Sequence, residues 1–291
     1  MKFADICCAL LVALIWGLAF LATKFALQEL SPLQATALRF VIAALPCLVV
    51  RRPNVSWWLL IGLALTLYVA QFLSQFYAIA RGLPLGLAGV IVQSQALFTV
   101  GFAIFAFGEY PTRAQAIGIG VAAVGLLMIA GTVGHELSAA TFAIAMISPI
   151  TFALGNILLR GVRDVDMFSL FCWGSVIPPV PLLLLAFAED GPAETMHAFV
   201  HMSPVVLASV LMLGFGSTTL AYWLWGRLLR DYTPAQVVPF ALLVPFVSAV
   251  ASAVVFGERF GALRLAGMLT VIAGLAIMVF LSRRPPPLEA V

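Results

Sequence analysis

Apolar residues run through almost the whole chain in long stretches, separated by short segments that carry charges, proline or glycine. A helix needs about 20 predominantly apolar residues to cross the hydrocarbon core of a bilayer. Ten stretches approach or exceed that length, and each predicts a membrane-spanning helix. Their approximate limits are 5–27, 33–50, 57–80, 84–107, 114–131, 139–159, 167–188, 203–228, 234–256 and 262–281.

The composition indicates that lipid is the solvent for most of the chain. Hydrophobic residues make up 63% of the 291 residues and charged residues 9%, whereas soluble proteins are roughly one quarter charged. The short connections leave no room for a soluble domain. The net charge of +3 is dispersed, which excludes a nucleic-acid-binding protein. The predicted fold class is therefore an all-α integral membrane protein with ten transmembrane helices.

The ends of the chain are predicted to differ in structure. The first stretch lacks a convincing small-x-small cleavage site, so we expect an uncleaved helix rather than a signal peptide. The tail 283–291 contains three consecutive prolines and is predicted to be disordered.

The cysteines lie in apolar runs without metal-site spacing and are predicted to be buried and unpaired. They are Cys7, Cys8, Cys47 and Cys172.

Lysine and arginine are distributed unequally between the two sides of the predicted bundle. The termini and the connections on their side carry ten of these residues, and the opposite connections carry three. Cytoplasmic loops are enriched in Lys and Arg. We therefore expect both termini in the cytoplasm and the protein in a bacterial inner membrane.

The sequence repeats itself. Phe107-Gly108-Glu109 returns 149 residues later as Phe256-Gly257-Glu258, and Gly118 and Gly125 return at the same separation as Gly267 and Gly274. Residues 1–134 and 135–282 are thus predicted to be two copies of one unit. Each copy contains five helices, an odd number, so the second must be inverted relative to the first. Inverted repeats are typical of secondary transporters, whose substrate site lies near the bilayer midplane.

Polar and aromatic residues inside the apolar stretches are the candidates for substrate contact, because a polar group at membrane depth is costly without a partner. Gln93 and Gln95 lie on roughly opposite faces of one helix, so at most one of them should face a central cavity. For any single residue, an equally acceptable interpretation is that the group only holds helices together. For the whole set this interpretation is weaker, because amide-bearing faces occur in three helices with aromatic residues beside them. The candidates are Trp16, Phe20, Tyr68, Gln71, Gln75, Gln93, Gln95, Asn156, Tyr222 and Pro239.

Other residues favour structural roles. The four repeated glycines predict close packing of the fifth and tenth helices, or a homodimer contact. Lys24 and Arg39 are expected to pair with Glu29 or bind backbone carbonyls, with a substrate carboxylate as the alternative. Glu109 and Glu258 precede the fifth and tenth helices and are expected to cap them.

The sequence offers little support for catalysis or metal binding. Glu194, His197 and His201 have helical metal-site spacing, but a solvated loop is the favoured interpretation. The chain contains no P-loop motif and no visible nucleophile with its base. We expect no enzyme activity, no cofactor, no metal and no nucleic acid. A pocket with amides, aromatic walls and almost no fixed charge suits a small zwitterionic or polar metabolite.

Several segments carry a resemblance to a known family: Trp16-Gly17-Leu18, Gln93-Ser94-Gln95, Phe107-Gly108-Glu109 and Gly155-Asn156-Ile157. The chain resembles the EamA-type transporters of the drug/metabolite transporter superfamily, and within them the bacterial O-acetylserine/cysteine exporters. The resemblance implies a central cavity and efflux of amino acids and related metabolites. The chain departs from the subfamily pattern at Trp223. This side chain would narrow the pocket if it faced the cavity, so Trp223 is added to the candidates.

The sequence therefore predicts an inner-membrane exporter of small amino acids and derivatives, such as cysteine or O-acetylserine, that works by alternating access. One alternative is a broad-specificity metabolite or drug efflux protein of the same fold. The other is a membrane enzyme or scaffold that transports nothing.

Overall fold

The computed structural model describes residues 1–134, 137–162 and 165–281, so the predicted tail 283–291 lies outside the described residues. The described part is all helical, apart from one isolated β-bridge between Val133 and Leu137. It contains nine helices that are long and apolar enough to cross a membrane, together with the shorter apolar helix Pro32–Leu48. The protein is thus a multi-pass membrane protein.

The ten segments follow the predicted stretches to within a few residues. We number them in chain order, as α1 (Phe3–Ala26), α2 (Pro32–Leu48), α3 (Trp57–Ala80), α4 (Leu85–Phe107), α5 (Arg113–Ala130), α6 (Ala139–Leu159), α7 (Met167–Glu189), α8 (Pro204–Asp231), α9 (Val238–Phe256) and α10 (Ala262–Leu281).

The connection between α7 and α8 holds a further short helix, Pro192–Val200, where the sequence predicted a loop. Gly191 has a φ of +87°, which turns the chain, and a proline at the first helical position is preorganised for helix. Asp190 anchors the turn, because its carboxylate accepts hydrogen bonds from Ser31 Oγ at 2.6 Å and Gln34 Nε2 at 3.0 Å.

Helix ends are set by local sequence. Ser31 and Thr112 form capping boxes with the glutamines three residues later, Gln34 and Gln115, which satisfies the first free N–H groups of α2 and α5. At the other end, α4 stops at Gly108 with φ +67° and α9 stops at Gly257 with φ +64°. Glycine adopts this left-handed conformation without steric cost.

Irregular stretches of helix recur at the separation of the sequence repeat. The helix is π-helical at Ala64–Ala70 in α3 and at Met212–Leu220 in α8. Likewise, α4 is interrupted at Ser94, and α9 changes from 3₁₀ to α geometry after Leu243. The two halves of the chain therefore share local backbone geometry as well as sequence.

The repeated glycines bring α5 and α10 into backbone contact. A Cβ added at Gly125 would lie 2.5 Å from the amide nitrogen of Val271 and 2.7 Å from the carbonyl oxygen of Gly267. A Cβ at Gly118 would lie 2.6 Å from the carbonyl oxygen of Gly274. The predicted packing of the two helices is confirmed, and it occurs within one chain.

The cysteines are all free, as predicted. Their expected burial is confirmed for Cys172 but is wrong for Cys7, which is exposed near the start of α1. Neighbouring apolar side chains such as Leu10 and Leu14 are also about 45% exposed, so this face of α1 is one that lipid would cover.

Candidate functional site

Four aromatic side chains meet where α8 packs against α1 and α7. The ring of Trp16 lies 5.6 Å from Tyr222 and 5.1 Å from Trp225, centroid to centroid. Tyr222 in turn lies 4.9 Å from Phe171. The indole Nε1 of Trp16 donates a hydrogen bond of 3.1 Å to the carbonyl oxygen of Ser217, which fixes the orientation of the ring.

A narrow cavity adjoins this cluster between α2, α7 and α8. Its volume is about 10 Å³, room for about one water molecule, and it is lined by Ala43, Phe168, Phe171, Cys172, Ser175, Thr218, Thr219 and Tyr222. The lining combines aromatic rings with small hydroxyl groups, and no charged side chain is among these residues. The chemistry of this lining suits a small, partly polar molecule, but the space must widen before one can enter.

The guanidinium of Arg39 lies beside the cavity. Arg39 is 3% exposed; its Nε donates to Thr218 Oγ1 at 3.0 Å and its Nη2 to Ser217 Oγ at 3.1 Å. The guanidinium carbon is 3.7 Å from the centroid of the Phe72 ring, within cation–π distance. The expected pairing of Arg39 and Lys24 with Glu29 is wrong, because Arg39 donates to these hydroxyls and Lys24 pairs with Glu258. Glu29 instead accepts from the backbone N–H of Ser203 at 2.8 Å.

The π-helical stretch of α8 explains why two hydroxyls face Arg39. Ser217 and Thr218 both donate to the carbonyl oxygen of Leu213, at 2.8 Å and 2.9 Å. The widened turn frees that carbonyl from the regular helical ladder. Because each hydroxyl gives its proton to Leu213, its lone pairs remain to accept from Arg39.

Tyr68 lies in the corresponding π-helical stretch of α3 and is packed rather than open. It is 2% exposed, and its hydroxyl donates to the carbonyl oxygen of Phe171 at 3.3 Å. A Cβ at Gly174 would lie 2.8 Å from its ring. Tyr68 thus holds the backbone of Phe171 in position through this hydrogen bond.

The glutamines differ in whether their side-chain amides have a hydrogen-bond partner. Gln93 Nε2 donates to the carbonyl oxygen of Ala241 at 3.0 Å, in the 3₁₀ stretch of α9 that contains the half-buried Pro239. Gln71 and Gln75 are 3% and 7% exposed. The Oε1 atoms of Gln71 and Gln95 are buried without a hydrogen-bond partner among the described residues. Gln93 is therefore the member of its pair that bonds a neighbouring helix.

The remaining candidates occupy three different environments. Asn156 Nδ2 donates to Thr99 Oγ1 at 3.2 Å, joining α6 to α4. Phe20 is 6% exposed within an apolar cluster. Trp223 is 46% exposed and does not line the cavity next to Tyr222, so the narrowing it would have caused is not seen.

Two ion pairs join the first half of the chain to the second, and each pairs the glutamate of a Phe-Gly-Glu segment with a basic side chain. Lys24 Nζ lies 3.1 Å from Glu258 Oε1 and 4.2 Å from the Phe256 ring centroid. Arg160 forms a bidentate pair with Glu109, at 2.7 and 2.8 Å, and its guanidinium carbon lies 4.6 Å from the Phe107 ring centroid. Each Phe-Gly-Glu segment thus holds a cation from the other half.

The expected roles of the two glutamates need correction. Glu258 caps α4 rather than α10, since both of its oxygens accept from the N–H of Leu85, at 2.9 and 3.2 Å. Glu109 does not cap α5, because Thr112 caps that helix. Hydrogen bonding to Arg160 lowers the pKa of the Glu109 carboxyl, so this pair stays ionised at neutral pH and weakens only under acid.

The residues Glu194, His197 and His201 do not assemble a metal site. Over the described ranges, no group of three or more metal-ligating side chains lies close together. The two imidazole rings stack on each other, with centroids 4.1 Å apart. They lie on and just after the short helix Pro192–Val200, outside the membrane segments.

Sequence reasoning missed Phe171 and Ser217 as neighbours of the cavity, whereas the spacing of Thr218, Tyr222 and Trp225 indicates a common face of α8. The signal for the hydroxyls was present, because Ser217 and Thr218 stand beside Gly214 and Gly216 inside an otherwise apolar stretch. Phe171 carried no signal, since an apolar run contains many phenylalanines and only packing selects one.

The polar contacts of the candidates have one property in common: they cross from the first half of the chain to the second. Trp16, Arg39 and Gln93 belong to the first half and bond to the second, and Asn156 bonds in the reverse direction. These four residues thus lie at the contact between the halves.

Comparison with known proteins identifies the chain. The model of the EamA-like transporter family matches residues 4–131 and again 139–280. A "Probable amino-acid metabolite efflux pump" of Salmonella typhimurium is 36% identical over 279 residues, covering 94% of this chain and 93% of that protein. A protein of the same description from Escherichia coli is 34% identical over 279 residues, with the same coverage of 94% and 93%.

A solved structure has the same fold. It matches with a TM-score of 0.64 at 17% sequence identity and covers 98% of this chain and 99% of its own. Family, fold and membrane helices agree with one another. The chain belongs to the EamA-like transporter family and is a multi-pass membrane transporter rather than an enzyme.

Proposed function

We propose that the protein exports small amino acids and related metabolites, such as cysteine or O-acetylserine, across the bacterial inner membrane by alternating access. Ten transmembrane helices form two inverted five-helix repeats with both termini in the cytoplasm. The observation that carries the proposal is the location of the candidate residues, whose polar contacts cross between the two halves beside a cavity of aromatic and hydroxyl groups.

The duplication is supported by features that recur in both halves. The family model matches twice, the π-helical stretches fall in α3 and α8, and the left-handed glycines end α4 and α9. Corresponding helices are five places apart in the chain, an odd number, so each pair runs in opposite directions through the bilayer. Two inverted copies offer two related conformations, each open to one side.

The two ion pairs fit such a cycle. In a ten-helix bundle, α1 and α9 end on the outer face, where Lys24 meets Glu258. The helices α4 and α6 end on the cytoplasmic face, where Arg160 meets Glu109. Each pair joins one repeat to the other, so opening the transporter to one side requires the pair on that side to separate.

The proposed substrate class follows from the chemistry of the site and from the relatives. The cavity offers aromatic walls and hydroxyls, and buried amide oxygens of Gln71 and Gln95 have no partner among the described residues. Two relatives are described as amino-acid metabolite efflux pumps. A hydrophobic cation is a poor alternative cargo, since the charge beside the cavity is the positive charge of Arg39.

Counterflow in proteoliposomes tests the proposal. Vesicles containing the full chain are loaded with unlabelled cysteine or O-acetylserine, and uptake of the labelled compound is measured with and without a pH gradient. We expect Trp16→Ala to lower uptake about tenfold or more, because the variant loses both the aromatic contacts and the hydrogen bond to Ser217.

Trp223→Ala is the matched control, as it removes the same side chain from an exposed position. It should transport like the wild type. Wild-type vesicles that accumulate neither amino acid would contradict the proposed function. Equal losses in the two variants would contradict the proposed site.

A further inference from the structure

Arg39 is a buried cation for which the described chain supplies no anion. Every acidic residue in the described ranges lies at a helix end or in a connection, and none forms an ion pair with Arg39. Arg39 itself stands in the interior of α2, about 10 Å along the helix from its start. A buried charge is stable only when it is well paired, and inside a membrane it commonly marks a substrate path.

The groups that hold Arg39 are neutral. Two hydroxyls accept from Nε and Nη2, and the face of Phe72 lies against the guanidinium. These contacts fix the orientation of the planar group but leave its charge uncompensated. A guanidinium has five N–H donors, so further donors remain for a ligand.

The cavity lies next to this charge. Thr218 both accepts from Arg39 and lines the cavity. Ala43, which also lines it, follows Arg39 by four residues and therefore shares its face of α2. Tyr222 and Phe171 form the aromatic wall of the same space. Arg39 itself is not among the lining residues, so a molecule would meet this charge, with the rings along its side, in a conformation in which the space between α2 and α8 has widened.

We infer that Arg39 binds the carboxylate of the exported amino acid. A guanidinium matches a carboxylate geometrically, with two parallel hydrogen bonds. This inference rests on the proposed function and extends it, since it restricts the cargo to molecules that carry a carboxylate. An amine of the same size without a carboxylate should be rejected, because the guanidinium would then stay unpaired.

The test compares three small thiols in proteoliposomes containing the full chain. Cysteine has both charged groups, cysteamine lacks the carboxylate, and mercaptopropionate lacks the amine. In the wild type, mercaptopropionate should inhibit counterflow of labelled cysteine, and cysteamine should inhibit about tenfold less at equal concentration. In Arg39→Gln, cysteine counterflow should fall about tenfold or more and inhibition by mercaptopropionate should disappear. Arg39→Lys retains the charge but lacks the two parallel donors of a guanidinium. Its rate of cysteine counterflow should therefore fall between those of the wild type and Arg39→Gln.

Arg51→Gln is the matched control, since it removes the same charge from an exposed connection and should leave both measurements unchanged. A melting temperature measured on the purified wild type makes the test independent of variant folding. Cysteine and mercaptopropionate should raise it, and cysteamine should not.

The outcomes separate the two proposals. Wild-type vesicles that transport no amino acid would overturn the proposed function, and the role of Arg39 with it. Active wild-type vesicles would overturn only the role of Arg39 if Arg39→Gln transported cysteine normally, or if cysteamine inhibited and stabilised as well as mercaptopropionate.

Discussion

Gln93 and Gln95 are two residues apart in the chain, yet the structure gives them different surroundings. Gln93 bonds to a carbonyl that the 3₁₀ stretch of α9 leaves accessible, whereas Gln95 keeps a buried oxygen without a partner among the described residues. Helical spacing predicts that the two side chains point in different directions. It does not tell which direction leads to a neighbour, because that depends on where α9 lies.

This difference gives a prediction for single residues. Gln93→Ala should lower stability by about 1 kcal/mol, the typical value of one interhelical hydrogen bond, and this can be measured by thermal unfolding in detergent. Gln95→Ala should leave the melting temperature unchanged or raise it, because it removes an unsatisfied buried oxygen, and should mainly reduce cysteine counterflow. The opposite assignment of the two effects would show that Gln93, and not Gln95, meets the substrate.

Individual helices depend on close backbone contact at some positions and irregular geometry at others. The α5–α10 pair is held by glycines whose absent side chains let the backbones touch, a common basis of helix association in lipid. The π-helical stretch of α8, by contrast, opens the helix and turns Ser217 and Thr218 toward Arg39. The glycine contact makes the α5–α10 pair rigid, and the π-helical stretch gives the site its shape.

The glycine contact can be tested with two substitutions in the same helix. Gly125→Ala should lower stability by about 2 kcal/mol or more, since the added methyl group overlaps the backbone of α10. Gly120→Ala is the control, because nothing lies within 4 Å of a Cβ at that position. Alanine is the better helix former, so the control should melt at the same temperature or higher. Equal melting temperatures for the two variants would contradict the contact.

The whole molecule is organised around contacts that its two halves make with each other. Arg39, Trp16 and Gln93 reach from the first half to the second, and the ion pairs of Glu258 and Glu109 join the halves at their ends. If the halves rock against each other, these are the interactions that must break and reform.

Removing one ion pair at a time should shift the conformational balance in opposite directions. We expect Glu258→Gln to favour opening to the outside and Glu109→Gln to favour opening to the cytoplasm, because each variant weakens the link on one face. Labelling of Ala43→Cys by an impermeant maleimide from either side, in a background without the native cysteines, measures the balance. The same shift in both variants would contradict the assignment of the pairs to opposite faces.

Much of the architecture could be predicted from sequence. The ten segments agree with hydrophobic runs, because the backbone of a chain in lipid must satisfy its own hydrogen bonds and helices do so locally. The contacts of Gly125 with Gly267 and of Gly118 with Gly274 were also predictable, since small residues repeat where helices touch. Glu258 was assigned to the wrong helix, because a carboxylate beside two helix starts can cap either, and only packing decides.

The sequence by itself determined the membrane class, the helical segments and the family. These follow from composition, periodicity and local motifs, which depend only on residues close together in the chain. Only the tertiary structure decided the partner of each polar side chain: Ser217 and Thr218 for Arg39, Ala241 for Gln93 and Glu258 for Lys24. Those partners lie more than 140 residues apart, and their meeting depends on how whole helices pack.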